Sequence, residues 1–134
     1  MRIPACTALT ALILGNSGLA QAPVATPREL MEAMIIPASN AIFDVGANAP
    51  KDAKQWAAVK NNGIILAEAG NLLMLATRPK DSANWMKYSK QMRDAGVAAM
   101  KAADAKNVDS LTDKVSDDLL SSCSSCHDQY MIKK

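Results

Sequence analysis

Three residues near the end of the chain, in the stretch "CSSCH", could do chemistry together. Cys123 and Cys126 lie three positions apart, and His127, the single histidine of the 134-residue chain, follows directly. On an α-helix these spacings place all three side chains on one face, within one turn. Two thiols can add to the two vinyl groups of a haem while the imidazole binds its iron. The pattern predicts one haem c, attached covalently through Cys123 and Cys126, with His127 as the proximal ligand.

The first 22 residues have the pattern of a secretory signal peptide. Arg2 gives a short positive lead, an apolar run reaches Leu14, and the segment closes on the small-x-small sequence "AQA" at residues 20–22. The apolar run is too short to span a bilayer. We predict cleavage after residue 22, which leaves residues 23–134 as one domain, exported to the periplasm and without a membrane span.

Cleavage would leave two cysteines and one histidine, and this limits the other sites that the motif could form. A zinc site needs four ligands, so carboxylates would have to complete it. A thioredoxin-like redox pair lies beside a βαβ unit, and no stretch of the chain alternates as a strand does. A disulfide between Cys123 and Cys126 would close almost no loop and would add little stability. Haem attachment is the interpretation that also uses His127.

The charge distribution argues against nucleic acid as the main partner. The chain has 15 Lys and Arg against 13 Asp and Glu, and its formal net charge is +2. Phosphate binding needs a concentrated basic face, and basic residues cluster only at Lys133 and Lys134. No catalytic set is visible, because no second histidine can act as a base and nothing near the serines of the motif could activate them. We predict that the protein is not an enzyme.

Apolar residues recur at three- and four-residue steps in four segments, which predicts four helices. The first segment covers residues 30–45, where Pro37 is expected to kink the helix or to split it near Ile36. The second covers residues 50–77 and opens on a proline, which is favoured at the first helical position.

The third segment is expected to begin after a cap at Asp81 or Ser82, and the fourth covers residues 111–130 with the C-x-x-C-H motif on its apolar stripe. Connections of about four to eight residues favour an all-α fold, an antiparallel four-helix bundle whose first three helices supply the other walls of the haem pocket. Three glycines within the helical patterns are explained by close approach of a neighbouring helix or of a flat ligand: Gly63, Gly70 and Gly96.

The architecture and the motif together resemble the class II cytochromes c, which include the cytochromes c′. The resemblance covers residues 23–134, and its most specific part is "CSSCHDQYMIKK". That segment is similar to the family's C-x-x-C-H-x-x-[aromatic]-Arg ending, with Tyr130 at the aromatic position. Met131 stands where many members have an arginine beside the proximal face of the haem.

In this family the residue that faces the open side of the iron comes from the first helix, close after an arginine. The stretch "PRELMEAMIIP" resembles that region, with Arg28 as the arginine. The resemblance makes Met31 the first candidate for the sixth iron ligand and Met34 the second. The residues alone leave open that both are core filler, as methionine often is.

Two functions correspond to these alternatives. Ligation by His127 and Met31 would give a six-coordinate iron with a raised reduction potential, suited to one-electron transfer with redox partner proteins. Without methionine ligation the iron would be five-coordinate and would bind NO or CO, as in the cytochromes c′. We predict the first function. Members of the family often dimerise through their first two helices, and the sequence leaves a homodimer open.

Overall fold

The computed structural model describes residues 22–75, 77–78 and 81–131, apart from the side chain of Ser82. The signal peptide that the sequence predicts lies outside the described residues, except for Ala22 at its end. Within the described ranges the chain forms helices and turns and no strand. The prediction of an all-α fold with four helices is confirmed.

The four helices are numbered here in chain order. Helix α1 covers residues 27–43 and α2 covers Ala53–Leu73, while α3 covers Ser82–Asp104 and α4 covers residues 108–130. Two of them contain a wider π-helical turn: Met31–Ile35 in α1, which leads into the α-helix Ile36–Phe43, and Ser110–Val115 in α4, which leads into the α-helix Ser116–Tyr130. No described helix is both long and apolar enough to cross a membrane.

Side-chain caps decide where the helices begin. Asp52 accepts a hydrogen bond of 2.8 Å from the backbone N–H of Gln55, so α2 begins at Ala53 and the prediction of a start at Pro50 is wrong. This helix ends at Leu73, four residues before the predicted end. For α3 the prediction is confirmed, because Asp81 is its N-cap.

The first helix is not split at Pro37. A prolyl ring clashes with the carbonyl four residues back and offers no N–H, so an ordinary α-helical turn cannot run through it. Here the chain stays helical by widening the preceding turn: the N–H of Ile36 donates to the carbonyl of Met31, five residues back. Such turns insert one extra residue into a helix and often lie at functional sites.

All four helices contribute to one apolar core. Its fully buried members include Ile42 from α1, Leu66 from α2, Ala99 from α3 and Leu119 from α4. Each helix therefore buries its apolar stripe in one shared core, an arrangement that is compatible with a helical bundle.

Helices α2 and α3 form the closest pair and run antiparallel. Gly63 meets the backbone of Gly96, whereas Gly70 meets the backbone of Arg93. Later residues of α2 therefore lie beside earlier residues of α3. A Cβ atom at Gly96 would lie 2.5 Å from the backbone nitrogen of Ala67 and 2.7 Å from the carbonyl oxygen of Gly63. The three helical glycines are thus explained by a neighbouring helix rather than by a flat ligand.

Replacing Gly96 with alanine is therefore expected to separate the two helices. The new methyl group meets backbone atoms that cannot rotate away, and the cost of overpacking exceeds the roughly 1 kcal/mol gained in helix propensity. We expect the free energy of unfolding to fall by about 2 kcal/mol, measured by urea denaturation. The control is Gly46→Ala, where the added Cβ meets only the Thr112 methyl group at 3.2 Å. Equal denaturation midpoints for the two variants would contradict this account.

Candidate functional site

The C-x-x-C-H motif lies in the last α-helix, Ser116–Tyr130, and presents its reactive groups along one side. Cys123 and Cys126 are both free thiols and are partly buried, while His127 is exposed. Because the three residues span five positions of a regular helix, their side chains project within one turn. The local geometry is the one that attachment of a flat macrocycle along a helix requires.

These three side chains line a single depression between the helices. Met31 and Ile35 of α1 line it too, and so does Leu73 of α2. The remaining lining residues come from α3 and α4: Tyr88, Ser89, Met92 and Ser122. Every helix of the fold thus contributes to the depression that contains the motif.

The chemistry of the depression is that of a site for an apolar group with few polar contacts. Its enclosed volume is only about 20 Å³, far below that of ordinary ligand pockets, so a flat macrocycle enters only if the side chains around it move apart. Four of its ten lining residues are aliphatic or methionine side chains, and none of the ten carries a carboxylate. Two thiols and an imidazole in such walls fit a haem, since haem supplies its own four equatorial iron ligands and needs only axial ones from the protein.

The two methionine candidates of the first helix differ in position. Met31 lines the depression together with His127, whereas Met34 is partly buried against the core and is not among the lining residues. Met31 is also the first residue of the widened turn that Pro37 imposes. Of the two candidates, the structure brings only Met31 to the C-x-x-C-H motif.

A third methionine, Met92 of α3, lines the same depression and was not among the ligand candidates from the sequence. It is buried, and it lies four residues after Tyr88 on the apolar stripe of α3. The stripe could have indicated that both residues face the interior. It could not have indicated which part of the interior faces the motif, because that depends on how far α3 is displaced along α4.

Burial raises the pKa of both thiols. For Cys123 a hydrogen bond with Ser122 opposes this effect in part, and for Cys126 the neighbouring Cys123 adds to it. Reactive redox cysteines have lowered pKa values, typically from a helix N-terminus or a nearby cation. These thiols lie near the C-terminal end of their helix instead, so their environment does not favour thioredoxin-like exchange.

In the described part of the chain, no group of three or more histidine, cysteine, aspartate or glutamate side chains is placed so that it could hold a metal ion. A zinc site of four protein ligands would require such a group. An iron within a haem would not, because one or two axial protein ligands are enough.

No protein-family model, curated protein or solved structure matches this chain.

The two other positions that carry the resemblance to class II cytochromes c lie at the surface. Arg28 pairs with Glu32 at 2.9 Å, its side chain is 86% exposed, and it does not line the depression. Met131 is 59% exposed and directly follows the last helix. Neither residue is placed to act on a group inside the depression.

A hydrogen-bonded cluster fixes the end of the helix that carries the motif. The hydroxyl of Tyr130 donates to Asp81, and the side-chain amide of Gln129 donates to the same carboxylate at 3.2 Å. Asp81 also caps α3 by accepting from the N–H of Asn84 at 3.0 Å. The Tyr130 ring packs edge-to-face on Trp85, with 5.1 Å between ring centroids. The start of α3 is thereby tied to α4 three residues beyond His127.

This cluster makes the stability of the fold depend on pH in the alkaline range. Burial, together with the hydrogen bond to Asp81, raises the pKa of Tyr130 to about 12 from an ordinary value of 10.0. The unfolded chain therefore loses this proton at a lower pH than the folded chain does. The stabilisation is present below pH about 10 and is lost as the pH rises through the folded-state pKa.

Tyr130→Phe is expected to remove this component of the pH dependence. The variant keeps the ring contact with Trp85 but has no ionisable hydroxyl, so wild type should lose more stability than the variant between pH 9 and about 12. Urea denaturation at several pH values measures this difference. Tyr88→Phe is the matched control, since its hydroxyl is not bonded to Asp81. A difference in the free energy of unfolding between wild type and Tyr130→Phe that stays the same at every pH would contradict the prediction.

Proposed function

We propose that this protein is a periplasmic c-type cytochrome of class II form: an antiparallel four-helix bundle with one covalent haem that transfers single electrons. Cys123 and Cys126 make the thioether bonds, His127 is the proximal iron ligand and Met31 is the sixth ligand. The observation that carries the proposal is the shared depression, because it brings both thiols, the imidazole and the Met31 thioether together from opposite ends of the chain.

The bound haem supplies the one-electron chemistry of its iron, and the protein supplies attachment, orientation and exclusion of water. Cys123 and Cys126 would hold the haem on α4, and the imidazole of His127 would bind its iron. Ile35, Leu73 and Met92 form apolar walls, which keep water away and limit reorganisation when the charge of the site changes. His127 lies at the exposed end of the depression, so electrons can reach partner proteins over a short distance.

One observation favours the second candidate function, binding of NO or CO at a five-coordinate iron. Met31 packs partly buried against the apolar core, so it has a structural role that does not require ligation. If that role is the whole of its function, the distal side of the iron is open and bounded by apolar side chains. The same fold and the same covalent attachment then serve gas binding.

Optical spectra of the exported protein distinguish these functions. We expect a low-spin ferric spectrum and a reduced spectrum that carbon monoxide does not change, because both axial positions are filled. A high-spin ferric spectrum with a reduced form that shifts on addition of carbon monoxide would replace electron transfer with gas binding. A colourless protein would contradict both functions.

A further inference from the structure

The segment between α2 and α3 contains a partly buried arginine, Arg78, whose buried nitrogens have no partner among the described residues. Arg78 has two fully buried side-chain nitrogens, Nε and Nη1, and neither donates a hydrogen bond to any atom of the described chain. A guanidinium is charged at every pH at which the protein is folded. Burial of such a group is strongly unfavourable unless an anion pairs with it, so the site calls for an anionic partner.

The residues on both sides of Arg78 in the chain lead to the candidate haem site. Leu73, the last residue of α2, lines the depression, and the loop continues from there. The N–H of Arg78 donates to the carbonyl of Leu75 at 2.9 Å, which folds the loop back towards the end of α2. Asp81, where the loop ends, is bonded to Tyr130 of α4. Leu73 and Asp81, on either side of Arg78 in the chain, thus lie at the depression and at the end of the C-x-x-C-H helix.

The carboxylate nearest in the loop is already engaged. Asp81 accepts hydrogen bonds from the Tyr130 hydroxyl, the Gln129 amide and the Asn84 backbone. No residue that lines the depression carries a negative charge. Asp81 and the residues that line the depression therefore offer the guanidinium no free anion, and a bound group can supply one.

We propose that Arg78 donates hydrogen bonds to a carboxylate of the bound haem. The inference rests on the proposed function. Haem carries two carboxylates on short flexible arms at one edge, and a planar guanidinium matches a carboxylate in a bidentate manner. Arg78 does not itself line the depression, so the contact is made at the rim, where the arms extend beyond the macrocycle. There it positions the haem edge, and its positive charge favours the ferrous over the ferric state.

The test compares the intact haem-loaded protein with its Arg78→Gln variant. Glutamine can still donate hydrogen bonds, but it has neither the positive charge nor the paired N–H groups of a guanidinium. We expect the haem carboxylate bending vibration in the resonance Raman spectrum to move to lower frequency. We also expect the reduction potential to fall by an amount equivalent to about a tenfold change in the ferric-to-ferrous ratio, or about 59 mV. Because the pair is buried, this shift should change little with ionic strength.

Arg93→Gln is the matched control, because this substitution changes the net charge by the same amount. Arg93 lies on α3 and pairs with Asp94 at 2.7 Å. If Arg78→Gln and Arg93→Gln give the same carboxylate vibration and the same potential, the inference is overturned. If Arg78→Gln does not accumulate, Arg78→Lys is used instead. The inference then expects a carboxylate vibration that differs from wild type, with a reduction potential that is nearly unchanged. A carboxylate vibration at the wild-type frequency would overturn the inference. Haem content is measured first, because a wild-type chain without haem contradicts the proposed function rather than the role of Arg78.

Discussion

Replacing Cys123 and Cys126 together by alanine will abolish covalent haem attachment. The thiols are the groups of the depression that can form thioether bonds, and a haem held only by iron ligands dissociates when the chain unfolds. Haem staining after denaturing electrophoresis should fall to background, and the mass of the intact chain should equal that of the bare polypeptide. Each single substitution should leave one thioether and an intermediate level of staining.

The spacer residues provide the control for this prediction. Ser124→Ala and Ser125→Ala change the same helical turn without removing a thiol, and Ser124 is exposed. Both variants should retain wild-type staining, because the motif requires only the positions of the two thiols and the imidazole. Covalent haem that survives the double cysteine substitution would show that the attachment chemistry assigned to this motif is wrong.

Helical periodicity allowed the four helices to be predicted, but not their ends. The start of α2 is three residues later than expected because the Asp52 side chain satisfies a backbone N–H at the first turn, whereas Pro50 precedes the helix. For α3 the cap was predicted to be Asp81 or Ser82, and the structure shows that it is Asp81. Caps are local contacts, so sequence can narrow them to neighbouring candidates.

The candidate site was predictable on the helix that carries the motif and much less so on the other helices. Cys123, Cys126 and His127 are fixed by their own spacing, since a single helical turn suffices to place them. Arg78 and Met92 were not predicted, because their relation to the motif depends on how loops and helices far apart in sequence are packed. A buried arginine without a partner is visible only once the packing is known.

The choice between Met31 and Met34 shows the same limit on a smaller scale. In a regular α-helix, residues three apart lie on one face, so periodicity cannot separate them. The turn that begins at Met31 is widened because Pro37 cannot join an ordinary helical turn. This insertion changes the direction of later side chains relative to earlier ones, and Met31 alone then lines the depression.

Met31→Leu will convert the low-spin ferric haem to a high-spin form and will open the reduced form to carbon monoxide. Leucine has nearly the volume of methionine, so the packing around α1 is kept and the stability cost stays below about 1.5 kcal/mol. It has no sulfur, so nothing replaces the sixth ligand. The reduction potential should also fall, because thioether ligation is what raises it in a His/Met pair.

Two matched substitutions make this result specific. Met34→Leu removes a thioether from the same helix but outside the depression, and Met92→Leu removes one that lines the depression from α3. Both should leave the low-spin spectrum and the resistance to carbon monoxide unchanged. Conversion by Met92→Leu instead of Met31→Leu would assign the sixth ligand to α3 and leave Met31 as packing. A high-spin wild type that none of the three substitutions alters would remove methionine ligation, and with it the argument for electron transfer over gas binding.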